Sequence, residues 1–104
     1  MDRLIADLQK TIQALETLST TKPALAEQSD ELLDQLFQQK IDLVAASLNA
    51  DAPTYQQALQ AISTAAGKVE KLAKNPTDAT DTFKSVENAI ARLARLLDQV
   101  VHTP

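Results

Sequence analysis

Along most of this chain the apolar side chains return every three or four residues, the spacing of a helical stripe rather than of a strand. The clearest case is Phe83, Val86, Ile90, Leu93, Leu97 and Val100, held for three heptads, with Ala89, Ala94, Leu96 and Val101 on its shoulders. Lys84, Asn88, Arg92, Arg95 and Asp98 fall outside it. Such a seam is made to be buried against another helix, but three heptads are short for an independent coiled coil. Near the N-terminus Ile5, Leu8, Ile12 and Leu15, widened by Leu4 and Leu18, form a shorter stripe opposite Asp7, Lys10 and Gln13.

Two further stripes lie between these. Leu25, Leu32, Leu33, Leu36, Phe37, Ile41, Leu43, Val44 and Leu48 spread over nearly half the circumference of a helix, more than one neighbour can cover. The next stripe is built differently. Tyr55, Ile62 and Val69 mark one seam position, Ala58, Ala65 and Leu72 the next, and Leu59, Ala66 and Ala73 widen it. Small side chains there allow close approach of a neighbouring helix. Gly67 falls on the opposite side, a surface position where it costs about 1 kcal/mol relative to Ala.

Breaks separate the four stripes. Ser19-Thr20-Thr21-Lys22-Pro23 disfavours continued helix, and Pro23 can open the next one. Asn49-Ala50-Asp51-Ala52-Pro53 supplies Asp51 as a cap and Pro53 as a first helical residue, and Asn75-Pro76 is followed by Thr77, Asp78 and Thr80 as capping candidates. The pattern predicts helices at about 2–18, 23–48, 53–74 and 78–102 in one domain spanning 1–104. Short connections favour antiparallel neighbours, so the expected fold is all-α, an antiparallel up-down-up-down four-helix bundle. The alternative is a three-helix core with the first helix extended onto a partner.

Composition narrows the fold class further. There are 15 Leu and 17 Ala but one Gly, which leaves little to build a turn-rich β fold or a phosphate-cradling loop. With no Cys there is neither a disulfide framework nor thiolate chemistry, which suits a reducing cytoplasm. The start of the chain, Met1-Asp2-Arg3-Leu4-Ile5, does not read as a secretory signal, and charges interrupt every apolar stretch well short of a membrane span.

The net charge of −4 is uneven. Residues 1–52 carry 4 basic and 9 acidic side chains, while residues 53–104 carry 6 basic and 5 acidic. An acidic balance with three aromatics argues against nucleic acid as a partner.

Candidate chemistry is sparse. Glu27, Asp30, Glu31 and Asp34 share a helix front, but a di-iron bundle site also needs inward His ligands, and the chain has only His102 near its end. The four carboxylates read as a solvated face that complements the helix dipole. Lys68, Lys71, Lys74, Arg92 and Arg95 would gather into a basic patch if the third and fourth helices pack antiparallel, though dipole complementation and solubility account for them without a ligand. The amphipathic fourth helix lacks the basic face and aromatic anchors of a membrane-surface segment.

No catalytic residue, cofactor or metal ligand is expected. The reading is a cytoplasmic, non-enzymatic module that binds itself or another protein through apolar helix surface, with Phe37, Ile41, Val44, Leu48 and Tyr55 as candidate contacts. A small-ligand or lipid carrier with a pocket between helices is the alternative, motivated by the Ala-rich third helix.

Overall fold

The computed structural model describes residues 3–46, 48–75 and 79–101, with Val100 and Val101 described by their backbone alone. Four helices follow the four stripes: α1 (Arg3–Thr21), α2 (Ala26–Ala45), α3 (Pro53–Lys74) and α4 (Ala79–Val101). The expected helix start at Asp2, the caps Thr77 and Asp78, the break at Pro76, His102 and the side-chain positions of Val100 and Val101 lie outside the described residues. Thr80 falls inside α4.

Three boundaries differ from expectation, each for a local reason. The first helix continues to Thr21 rather than stopping near Leu18. Thr17, Thr20 and Thr21 turn their hydroxyls back onto the carbonyls of Gln13, Glu16 and Thr17, so the hydroxyls are satisfied within the helix. Pro23 opens a short 3-10 turn, Pro23–Leu25, before α2 begins. At the other end α2 stops at Ala45, and Ala46 is extended (φ −87°, ψ 150°), so Leu48 is not helical. Leaving the helix there lets Leu48 fold back and pack, partly buried, against the core.

The start of α3 is set by Pro53 at its first turn, with Ala52 as the extended residue before it. Asp51 does not cap this helix. Its backbone N–H instead donates to Asn49 Oδ1 at 3.0 Å, a local turn that uses the Asn side chain in place of a helical cap.

Helix directions alternate, as expected for an up-down-up-down bundle. The antiparallel α1–α2 pair is fixed by Ser19 Oγ donating to Asp30 Oδ1 at 2.7 Å near one end and Lys40 Nζ donating to Gln9 Oε1 nearer the other. The antiparallel α3–α4 pair is marked by Thr54 bonded to Gln99 (2.6 Å) and Lys68 to Asp81 (2.8 Å). The two hairpins meet side by side in parallel: Ser63 of α3 donates to Asp7 of α1, and Gln39 of α2 donates to the Ile90 carbonyl of α4 at 2.9 Å. Among the described residues α2 and α3 are not neighbours, and neither are α1 and α4. The link after α2 therefore crosses the end of the bundle diagonally, and its Leu48 and Ala52 cover that end of the core.

The core runs the length of the molecule. Leu4, Leu8, Ile12, Leu15 and Leu18 are 0–1% exposed, which places the first helix inside the bundle rather than on a partner. Facing them, Ala58, Ile62, Ala65 and Val69 are fully buried, and Tyr55, Ala66 and Leu72 nearly so. The Phe83–Leu97 seam of α4 is internal, with Val86, Ala89 and Leu93 fully buried and Ile90 and Leu97 half-buried at its edge.

Two polar side chains enter this interior from α2. Ser29 Oγ and Gln39 Oε1 are buried without a protein hydrogen-bond partner. A buried polar atom left unsatisfied costs about 1–3 kcal/mol.

Three stability outcomes follow from this packing, each measured by urea denaturation. Leu36→Ala, at a fully buried site on α2, lowers stability by about 2–5 kcal/mol. Gly67→Ala raises it by about 0.5–1 kcal/mol, because a Cβ there meets nothing within 4 Å and Gly is a poor helix former. Gln39→Met removes a half-satisfied amide at nearly constant volume, and leaves stability unchanged or raises it by up to about 1 kcal/mol.

Candidate protein-binding surface

On a helix, residues three and four apart lie on one face. Buried positions of α2, Ser29, Leu32, Leu33, Leu36, Gln39 and Leu43, occupy one such face, turned toward α1 and α4. Phe37, Ile41 and Val44 stand beside it and outside it. They are 42%, 65% and 64% exposed, and they are the exposed large hydrophobics among the described residues. Their spacing of four and three residues makes them a continuous stripe on the last two turns of the helix.

The stripe lies along the α1 side of α2. Lys40, on the same margin, bonds to Gln9, and the antiparallel register then puts Ile5, one turn before Gln9, at the level of Val44. Ile5 is itself only partly buried against the core. The apolar ridge of α2 thus continues toward the shoulder of α1.

Of the five candidate contact residues, Phe37, Ile41 and Val44 are exposed on this surface, while Leu48 and Tyr55 lie away from it. Leu48 follows the stripe in sequence but is drawn onto the core by the early end of α2, leaving it half-buried. Tyr55 is 5% exposed and belongs to the core of α3, so it leaves the candidate surface. Its place in the Tyr55–Ile62–Val69 seam accounts for the burial: the first turn of α3 already faces inward.

The structure adds residues that hydrophobicity alone does not select. Glu27, Asp30 and Asp34 precede Phe37 at the same three-four spacing, so that 27, 30, 34, 37, 41 and 44 trace one outward line along α2. The first half of the line is carboxylate and the second half apolar. Asp30 accepts from Ser19, while all three carboxylate residues are exposed. Across α2 as a whole there are five carboxylates and one cation, Lys40. The signal was present in the sequence as a second heptad-spaced line, hidden because its members change character halfway.

Other candidate chemistry does not assemble. Among the described residues no group of three His, Cys, Asp or Glu side chains is placed to hold a metal ion. The basic side chains do not gather into a patch: Lys68 pairs with Asp81 near the end of α3, whereas Arg92 reaches Gln57 at 3.3 Å near its start. Eleven residues of helix, about 16 Å, separate those two positions on α3. Grooves on the surface are open. One between α3 and α4, about 300 Å³, is lined by Gln57, Gln60, Ala61, Thr64, Ser85, Asn88 and Arg92, mostly amides and hydroxyls. The small side chains of α3 are spent on helix contact, since Ala58 and Ala65 are fully buried. Among the described residues no helix is long and apolar enough to cross a membrane.

If the stripe is surplus to the fold, its removal leaves stability alone. Ile41→Gln and Val44→Ala each change the unfolding free energy by less than about 0.5 kcal/mol, measured by urea denaturation beside Leu36→Ala.

No protein-family model matches the sequence, and no curated protein or solved structure is significantly similar to it.

Proposed function

We propose that the protein is a non-enzymatic interaction module that binds another protein through the outer face of α2. One observation carries this reading: Phe37, Ile41 and Val44, the exposed large hydrophobics among the described residues, fall on a single line of one helix. Scattered exposed apolar residues are ordinary on any protein surface, but three in a row on a helix form a ridge that an apolar groove or a second helix can cover. The core supports the same conclusion from the other side. It is closed by Leu32, Leu33, Leu36 and Leu43 of α2, so the outer stripe is not needed to complete the bundle.

The lack of Cys fits a reducing, cytoplasmic setting for this binding. A carrier of small ligands has less behind it, because the groove between α3 and α4 is open and mostly polar and the Ala-lined face of α3 is occupied by its neighbours.

Site-specific photocrosslinking in the native cell tests the reading. A photoreactive residue at Ile41 captures a discrete protein partner, while the same group at Ala91, exposed on α4, does not. Ile41→Asp abolishes recovery of that partner with the full chain. Equal capture from both positions, or recovery unaffected by Ile41→Asp, contradicts the proposal.

A further inference from the structure

Resting on that reading, we infer that the occupant of the α2 face is an amphipathic helix carrying Lys or Arg, laid antiparallel along the line from Glu27 to Val44. Its apolar residues cover Phe37, Ile41 and Val44, and its cationic half lies over Glu27, Asp30 and Asp34. Charge selects this occupant. A helix that packs on the apolar half and extends along α2 must pass over the three exposed carboxylates, which Lys40 does not neutralise because it is turned toward α1 and bonded to Gln9. Apolar or acidic residues at those levels would leave the carboxylates facing a poor partner, whereas Lys or Arg answers each of them.

Orientation follows from the same charges. The carboxylates stand in the first half of α2, so an antiparallel helix brings its C-terminal half over them. Cations in the C-terminal half also complement that helix's own dipole. A parallel helix would need its cations at the N-terminal end, where the dipole opposes them.

A second copy of the chain does not meet these requirements. Because the exposed large hydrophobics of the described residues all lie in this line, another copy could cover them only with the same line. Paired in parallel, carboxylates would lie on carboxylates. Paired antiparallel about Ile41, the apolar turns meet but both acidic ends remain without cations.

The test uses two synthetic amphipathic peptides about three heptads long, with Leu at three-four spacing in the N-terminal half. Their C-terminal halves carry Lys in one and Glu in the other at the matching positions. Binding to the full chain is measured by fluorescence anisotropy. The Lys peptide binds at least about tenfold tighter than the Glu peptide. Asp30→Asn with Asp34→Asn removes that preference, and Glu70→Gln with Glu87→Gln, exposed on α3 and α4, preserves it.

Ile41→Asp weakens both peptides. Binding that depends on Ile41 but shows no Lys preference, or a preference that survives the Asn substitutions, overturns this inference and leaves the α2 reading standing. Binding that is undetectable or indifferent to Ile41→Asp overturns the α2 reading as well. Sedimentation of the chain alone completes the test: a monomer is expected, and a dimer dissociated by Ile41→Asp would make a second copy the occupant.

Discussion

The bundle depends on close packing along α3. This helix lies against α1 on one side and α4 on the other, and its inward positions are filled by Ala58, Ala65 and Ala66 between the larger Tyr55, Ile62, Val69 and Leu72. Small side chains let neighbouring backbones approach; large ones between them fill the space that remains. The result is a parallel α1–α3 contact in the middle of the molecule, tied by Ser63 donating to Asp7. The other pairings follow from it. With α1 and α3 side by side, the short turn after α1 sets α2 against α1, α4 returns along α3, and the link from Ala46 to Ala52 has to cross the diagonal.

This arrangement leaves α2 as the least committed of the four helices. Among the described residues it contributes the two buried polar side-chain atoms without protein partners, and it carries the exposed apolar stripe. Its inward face gives up some stability, and its outward face offers apolar surface to water. The two features are independent in origin but meet on one element, and both fit a helix shaped partly by something outside the fold.

Much of this was legible in the sequence. Three-four periodicity located all four helices, and the central seam positions of α3 (Tyr55, Ala58, Ile62, Ala65, Val69 and Leu72) and Phe83, Val86 and Leu93 of α4 are buried where the spacing put them, while Ile90 and Leu97 lie half-buried at the edge. The stripe at Phe37, Ile41 and Val44 was legible by excess: α2 has more apolar arc than two neighbours cover. Neighbour relations were not legible. Short links predict antiparallel partners, yet α2 and α3 are diagonal because contact between α1 and α3 takes precedence over sequence adjacency. Leu48 was misplaced for a related reason, since the end of α2 is decided by where its residues can pack, and the core end lies inward. Glu27, Asp30 and Asp34 were legible as a solvated helix face, but their continuation into the apolar stripe was not, because a pattern defined by hydrophobicity ends where the hydrophobic residues end.

At the centre of this account is the claim that the four helices complete their core within one chain, leaving the α2 stripe as spare surface. The most direct measurement is the thermal midpoint of the isolated protein across about a hundredfold range of concentration. A folding unit that is complete as a monomer has a midpoint independent of concentration, which is the predicted result. A midpoint that climbs with concentration would show that association of the stripe is part of what holds the fold together, and would contradict it.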